Sequence, residues 1–140
     1  MNDLLPILVG MDVFILGYPH GYCSNPTIMP IWKRGSLATE FAIDIGGDPK
    51  MYIDCATANG MSGAPVIAKL TGMFPLEGKE NDFGSRCIGS DFCFLGIYTG
   101  RYTDEITADK ESDIFNAQLG IVWKESVIEE IITGKINELV

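Results

Sequence analysis

Ser62 is the residue of this chain whose neighbours best suit it to act as a nucleophile. It stands in Asn59-Gly60-Met61-Ser62-Gly63-Ala64-Pro65, between two runs that read as strands, Lys50 to Ala56 and Ala64 to Lys69. The glycines allow a sharp bend and the close approach of another group. The amides of Gly60 and Ser62 could converge on an oxyanion as it develops. A serine hydroxyl is a weak nucleophile at neutral pH unless a general base takes its proton. The sequence offers one histidine, His20, in Tyr18-Pro19-His20-Gly21. A base is identified by its reach to the proton, and this loop gives no reason to expect it, so His20 reads as an exposed turn residue. Asp12, Asp44 and Asp54 lie near strands and read as turn or strand-edge residues, not as the acid that orients a catalytic imidazole.

These residues need a frame, and the chain reads as short strands punctuated by Gly, Pro and Asn. Asp12 to Tyr18 is apolar, partly β-branched, and stops at Pro19-His20-Gly21. Pro30 to Ile45 is a long mixed run with a bend or bulge expected at Arg34-Gly35-Ser36. Gly46-Gly47-Asp48-Pro49 signals a turn, followed by a strand from Met51 to Ala56; Pro65 to Lys69 follows the serine turn. Leu70 to Asp91, broken by Gly72, Pro75, Gly78, Gly84 and Gly89, reads as a long surface loop. Phe92 to Thr99 and Ala117 to Trp123 read as strands, with the charged stretch Arg101 to Asn116 exposed between them. Val127, Ile128, Ile131, Ile132, Ile136 and Leu139 recur at helical spacing, which predicts an amphipathic helix over 125–139. Ser126 is its expected cap, with Glu129 three residues on, and Gly134 weakens its last turns. Short, regularly spaced strands with a single helix at the end predict an all-β fold, closed or sandwich-like and antiparallel, in preference to a parallel α/β sheet.

A chain of 140 residues fits one domain, and 46% hydrophobic with 21% charged residues is the composition of a globular protein with a core. The net charge is −9, with ten basic residues against nineteen acidic, which argues against nucleic acid as a main partner. No apolar run reaches the ~20 residues of a membrane-spanning helix. Leu4 to Gly17 is interrupted by Asp12 and lacks a basic flank, which makes it a poor signal peptide; no membrane association and a cytoplasmic location are expected. Cys23, Cys55, Cys87 and Cys93 form no C-x-x-C pair and only one histidine accompanies them, so neither a metal nor another cofactor is expected. Buried free thiols are the favoured state, with a Cys87–Cys93 bridge across a turn as the alternative if oxidised.

Two nucleophile motifs compete for the serine. The α/β-hydrolase elbow G-x-S-x-G needs glycine two residues past the serine and a helix after it. Here Ala64 stands at that position and Pro65-Val66-Ile67 continue as strand. Gly60-Met61-Ser62-Gly63-Ala64-Pro65-Val66-Ile67 instead fits the chymotrypsin-type turn, G-x-S-G-x-P before a strand. On that motif the chain resembles the C-terminal barrel of a trypsin-like (chymotrypsin-fold) bacterial serine peptidase of the disulfide-poor kind. Further segments resemble the family in the same order. Asp12-Val13-Phe14-Ile15-Leu16-Gly17-Tyr18-Pro19 looks like its opening strand, and Pro30-Ile31-Trp32-Lys33-Arg34-Gly35 like its second. Tyr52-Ile53-Asp54-Cys55-Ala56-Thr57 leads into the serine turn, and Phe94-Leu95-Gly96-Ile97-Tyr98 resembles the strand along which substrate lies. Leu119-Gly120-Ile121-Val122-Trp123 and the terminal helix are similar to the family's ending, so the resemblance spans nearly the whole chain.

The resemblance implies one domain over 1–140: a six-stranded antiparallel Greek-key barrel, an inter-barrel segment at 1–10 and a terminal helix at 125–139. It implies Ser62 as the acyl-forming nucleophile and the Gly60 and Ser62 amides as the oxyanion hole. It implies a substrate pocket walled by Cys55, Ala56 and Thr57 on one side and by Ile97, Tyr98, Thr99 and Gly100 on the other. These walls hold no buried acid to receive Arg or Lys, so a small or apolar side chain is the expected fit. Met61 stands where family members commonly carry Asp or Asn.

In this family the catalytic His and Asp belong to the N-terminal barrel, and His20 matches a loop position without a catalytic role. The resemblance therefore implies a peptide or protein substrate together with an N-terminal barrel supplied in cis or in trans. Alone, the chain is expected to be inactive. Removing the histidine of such a triad lowers turnover by roughly 10⁶, while the oxyanion hole and binding retain about 10³–10⁴ over water. An uncovered inter-barrel face favours self-association, with Leu4 to Val9 the stickiest element. A second reading is a non-catalytic module that binds peptide by β-augmentation at the Gly96 to Thr99 strand edge. A third is a structural domain in which Ser62 occupies an ordinary tight turn.

Overall fold

The computed structural model describes residues 7–23, 28–75, 78, 81, 84, 86–102 and 118–134. Among the described residues six strands follow one another: β1 Asp12–Gly17, β2 Ile31–Leu37, β3 Lys50–Asp54, β4 Pro65–Pro75, β5 Arg86–Arg101 and β6 Leu119–Lys124. A 3-10 turn, Pro19–Gly21, follows β1, and a helix, α1, spans Glu125–Thr133. Every ladder is antiparallel, so the fold is all-β with a helix at its end. The strands lie in the order β1-β2-β3-β6-β5-β4, and pairing of β1 with β4 closes the sheet into a barrel. Strand β4 returns to lie beside β1 after β1, β2 and β3 have followed in succession.

Period-2 alternation makes this closure favourable. In β1, Val13 and Ile15 point inward while Asp12, Phe14 and Leu16 face out; β6 buries Gly120, Val122 and Lys124 in the same way. Leu37, Met51, Ile53, Val66, Ala68 and Leu95 complete the interior from the other strands. Fully burying a side chain such as Ile15 or Ile53 contributes roughly 1.5–3 kcal/mol. On the outer face Phe14, Trp32 and Phe92 meet edge to face, with ring centroids 5.8 and 6.1 Å apart.

Four expectations change. Leu70 to Asp91 is not a loop throughout: β4 and β5 continue as a two-stranded ribbon, paired from Leu70↔Asp91 to Pro75↔Arg86. Gly72 and Gly89, which look like breaks in the sequence, stand opposite each other on one rung. The run from Pro30 ends as a strand at Leu37, and its register against β1 is continuous through Gly35, with no bulge. Gly35 is required there for another reason: a Cβ would lie 2.6 Å from Cys55 Cβ, where the end of β3 presses on β2. Helix α1 stops at Thr133, where Gly134 takes a left-handed φ of 64° and donates its N–H to the Ile131 carbonyl. Its N-cap is Lys124, without a side-chain cap bond, and not Ser126. Ile136 and Leu139 lie outside the described residues, as do 1–6 of the N-terminal segment and 103–117.

The thiols are free as expected, but only Cys55 is fully buried. Cys87 and Cys93 occupy one strand six residues apart, about 20 Å at the rise of an extended chain. A disulfide needs Cα atoms within about 7 Å, so these two cannot bridge. All four cysteines are free; Cys55 is buried, Cys93 is half-buried, and Cys23 and Cys87 are exposed. Among the described residues no helix is long and apolar enough to cross a membrane.

Candidate active site

Ser62 lies on the connection between β3 and β4. Gly60 and Gly63 adopt φ values of +91° and +87°, a region that side chains disfavour. A Cβ on Gly60 would stand 2.8 Å from the Tyr18 carbonyl oxygen and 3.2 Å from the His20 nitrogen, so the position excludes one on two counts. Beneath the turn, Met61 is fully buried, and a Cβ on Gly17 would sit 3.0 Å from its sulfur. The turn is strapped to β5 on its other side. Gly63 N–H donates to the Tyr98 carbonyl (2.8 Å), and Tyr98 N–H donates to the Ala64 carbonyl (2.9 Å).

The His20 turn braces the same loop. His20 N–H donates to the Asn59 carbonyl at 2.7 Å. A trans peptide is planar, so holding the Asn59 C=O on this side directs the Gly60 N–H to the opposite side. The Gly60 and Ser62 amides donate to no group among the described residues, and both residues are exposed. Two amide donors of the serine turn are therefore without an acceptor among the described residues. His20 itself has φ 51°, and it supports the loop through its backbone N–H.

The Ser62 hydroxyl donates to the Thr99 carbonyl oxygen at 3.0 Å. A carbonyl holds that proton in place but cannot remove it. Asp12 is taken by a two-pronged bond from Arg34 (2.8 and 2.9 Å), and Asp44 by Lys124 (2.6 Å). Asp54 is exposed at the end of β3. Among the described residues, no group of three or more His, Cys, Asp or Glu side chains gathers as a metal site.

The two stretches expected to face each other do meet. Thr57 Oγ1 and Tyr98 OH are 2.6 Å apart, and both residues are buried. The Arg101 guanidinium donates to the Thr57 carbonyl, and its Nε reaches Thr57 Oγ1 at 3.4 Å. Gly120 makes room for the Tyr98 ring, because a Cβ there would lie 2.8 Å from its Cε2 atom. Cys55 is buried, donates to the Arg34 carbonyl at 3.4 Å, and has its thiol pushed up by burial. Ala56 and Thr99 are exposed, and Ile97 and Gly100 are half-buried. Arg101, Gly120 and the Tyr18–His20 brace escape a reading by motif. The available signals were the position of Arg101 directly after Gly100 and the Pro-His-Gly turn closing an apolar strand.

Comparison with protein-family models, curated proteins and solved structures returned no match. What the site can do follows from its own geometry.

The strand edge expected at Gly96 to Thr99 is mostly occupied. Gly96 and Ile97 pair with β4 on one side, and Gly96, Ile97 and Tyr98 pair with β6 on the other. Beyond Ile97 no described residue of β4 is paired with β5, while Gly100 and Arg101 remain paired with Ile121 and Gly120 of β6. A cavity of about 410 Å³ lies elsewhere, lined by Val9, Ala38, Thr39, Glu40, Ile43 and Ile45, and takes no residue from the serine turn.

Proposed function

We propose that this chain is the serine-bearing barrel of a trypsin-like peptidase and acts on peptide or protein substrates. One observation carries the reading: the Gly60 and Ser62 amides, without an acceptor among the described residues, belong to an exposed serine turn strapped to β5. The strand order β1-β2-β3-β6-β5-β4 supports it, being compatible with the Greek-key barrel of that family. In the proposed reaction Ser62 Oγ bonds to the scissile carbonyl carbon while its proton passes to a base. The two amides then hold the oxyanion, and the amine leaves with that proton. Water hydrolyses the resulting ester and regenerates the serine. The substrate backbone would lie along β5 beside Thr99, on the side where the pairing with β4 has ended.

The base and its orienting acid would come from an N-terminal barrel, on the same polypeptide or another. Without them Ser62 stays bonded to a carbonyl, and the isolated chain is inactive.

A fluorophosphonate probe, read by intact mass, tests this. The isolated chain should form no adduct over minutes. Excess imidazole, acting as a diffusible base, should permit slow phosphonylation of Ser62. The Ser62→Ala variant should give none, and Gly60→Ala should slow the reaction by about 10²–10³ through loss of the oxyanion donor geometry. An adduct that persists in Ser62→Ala, or no adduct with imidazole, overturns the reading. Rapid labelling without imidazole overturns the claim of a missing base. A chain that binds peptide yet never labels is instead a non-catalytic peptide-binding module.

A further inference from the structure

We propose that Asn59 and Gly60 form a site of spontaneous modification, at which the folded chain closes a succinimide ring, loses ammonia and so consumes the Gly60 amide. The modification stands on its own chemistry; its effect on Ser62 rests on the peptidase reading above.

The chain has six asparagines, and only Asn59 is followed by glycine. Ring closure needs the main-chain nitrogen of the next residue to reach the asparagine side-chain carbonyl carbon, and glycine has no Cβ to obstruct that approach. The fold leaves the reaction open. Both residues are exposed. No hydrogen bond holds the Asn59 side-chain amide, and the Gly60 N–H donates to no group among the described residues. The fold also favours the reacting form. His20 N–H donates to the Asn59 carbonyl oxygen at 2.7 Å, and that oxygen belongs to the same peptide unit as the Gly60 nitrogen. When the Gly60 N–H gives up its proton, resonance across the peptide places charge on that oxygen. A hydrogen bond to an ionised acceptor is roughly twice as strong as one between neutral groups. The bond that braces the serine turn therefore also stabilises the attacking anion.

The step balances. Hydroxide takes the Gly60 proton, the nitrogen bonds to Asn59 Cγ, and the Cγ–Nδ2 bond breaks, releasing ammonia with a proton from water. Water then opens the ring at either carbonyl and leaves aspartate or isoaspartate at position 59. In the ring the Gly60 nitrogen carries no hydrogen and cannot donate. Opening restores the N–H but sets a carboxylate beside it, and the isoaspartate product also lengthens the main chain by a methylene. Every product works against a developing oxyanion.

The full chain is aged at mildly alkaline pH, with and without urea, and followed by ammonia release, intact mass and peptide mapping under acidic digestion. In the folded chain the first deamidation should map to Asn59, with isoaspartate among the products. Asn59→Gln keeps the amide on a longer side chain that closes a ring far less readily, and should hold its mass over the same period. Aged samples are then given fluorophosphonate with imidazole. The converted fraction should label about 10²–10³ more slowly than the intact fraction, the cost of one lost oxyanion donor. Asn59→Gln should keep its initial labelling rate throughout. Conversion of another asparagine first, or of Asn59 only in urea, overturns the proposal. Conversion at Asn59 with labelling unchanged overturns the effect on Ser62 and removes Gly60 from the oxyanion hole. If the fresh chain does not label at all, the peptidase reading falls, and the mass readout still decides the modification.

Discussion

Met61 and Ser62 are adjacent and face opposite ways: the first is sealed in the core, the second is open to solvent. An apolar side chain thus anchors the turn where the resembling family commonly has a polar one. Cys55 shows the same inward commitment. Burial pushes its thiol up, and burial followed by the charges of Glu125 and Asp91 pushes Cys93 up. A thiol-specific reagent with mass detection should therefore modify Cys23 and Cys87 first, Cys93 more slowly, and Cys55 only as the chain unfolds. The pH dependence has a definite sign. The folded chain holds the Cys55 proton more tightly than the unfolded chain. Its contribution is therefore present below the ordinary thiol pKa of about 8.5 and declines as pH rises through it. Urea titrations across that window should show the decline, and Cys55→Ala should flatten it. Fast labelling of Cys55 in the folded chain would refute the assignment.

The end of β6 organises the segment that follows β2. Lys124 is buried, with its side chain 8% exposed, and its ammonium donates to Asp44 (2.6 Å) and to the Ile43 carbonyl (3.0 Å). It also lies 5.5 Å from the Phe41 ring centre, and its own N–H donates to the Pro49 carbonyl. One residue thus joins the barrel, the 41–49 turns and the start of α1. Lys124→Ala should lower stability by about 2–3 kcal/mol, through lost packing and two lost charge-assisted bonds. Asp44→Ala should cost less, about 1 kcal/mol, because that carboxylate is half-exposed. Urea denaturation measures both; a Lys124→Ala loss below about 0.5 kcal/mol would refute the clip.

For the molecule as a whole, the barrel stands on pairings between distant parts of the chain. Strand β6 bonds to β3 on one side and to β5 on the other, and β4 returns to β1. A chain ending after Tyr102 loses β6, leaves β3 and β5 with open edges, and removes Val122 from the core. It should not fold, as judged by collapse of the dispersed methyl signals in its NMR spectrum. Substituting Ile131 and Ile132 of α1 by serine should be nearly silent by comparison, within about 0.5 kcal/mol each, because both are exposed. Dispersed spectra from the truncated chain would show that the ring is not the cooperative unit.

Much of the frame was readable in advance. Strands β1, β3 and β6 announce themselves by alternation, because inward positions of a closed sheet must be apolar. The serine turn is announced by Gly60 and Gly63, because only glycine accepts those backbone angles readily. The ribbon was hidden because Gly72 and Gly89 signal breaks along the chain and reveal their pairing only across it. Spacing likewise left a Cys87–Cys93 bridge open as the alternative to free thiols, and only their place on one extended strand removes it. By itself the sequence determined the strand-rich character, the glycine-flanked serine turn and the helix that follows the last strand, all written in preferences that span a few residues. Only the tertiary structure decided that Thr57 meets Tyr98, 41 residues away, that the His20 turn braces Asn59, and that the Ser62 hydroxyl rests on Thr99. Those contacts depend on the register between strands far apart in sequence, and no local spacing records it.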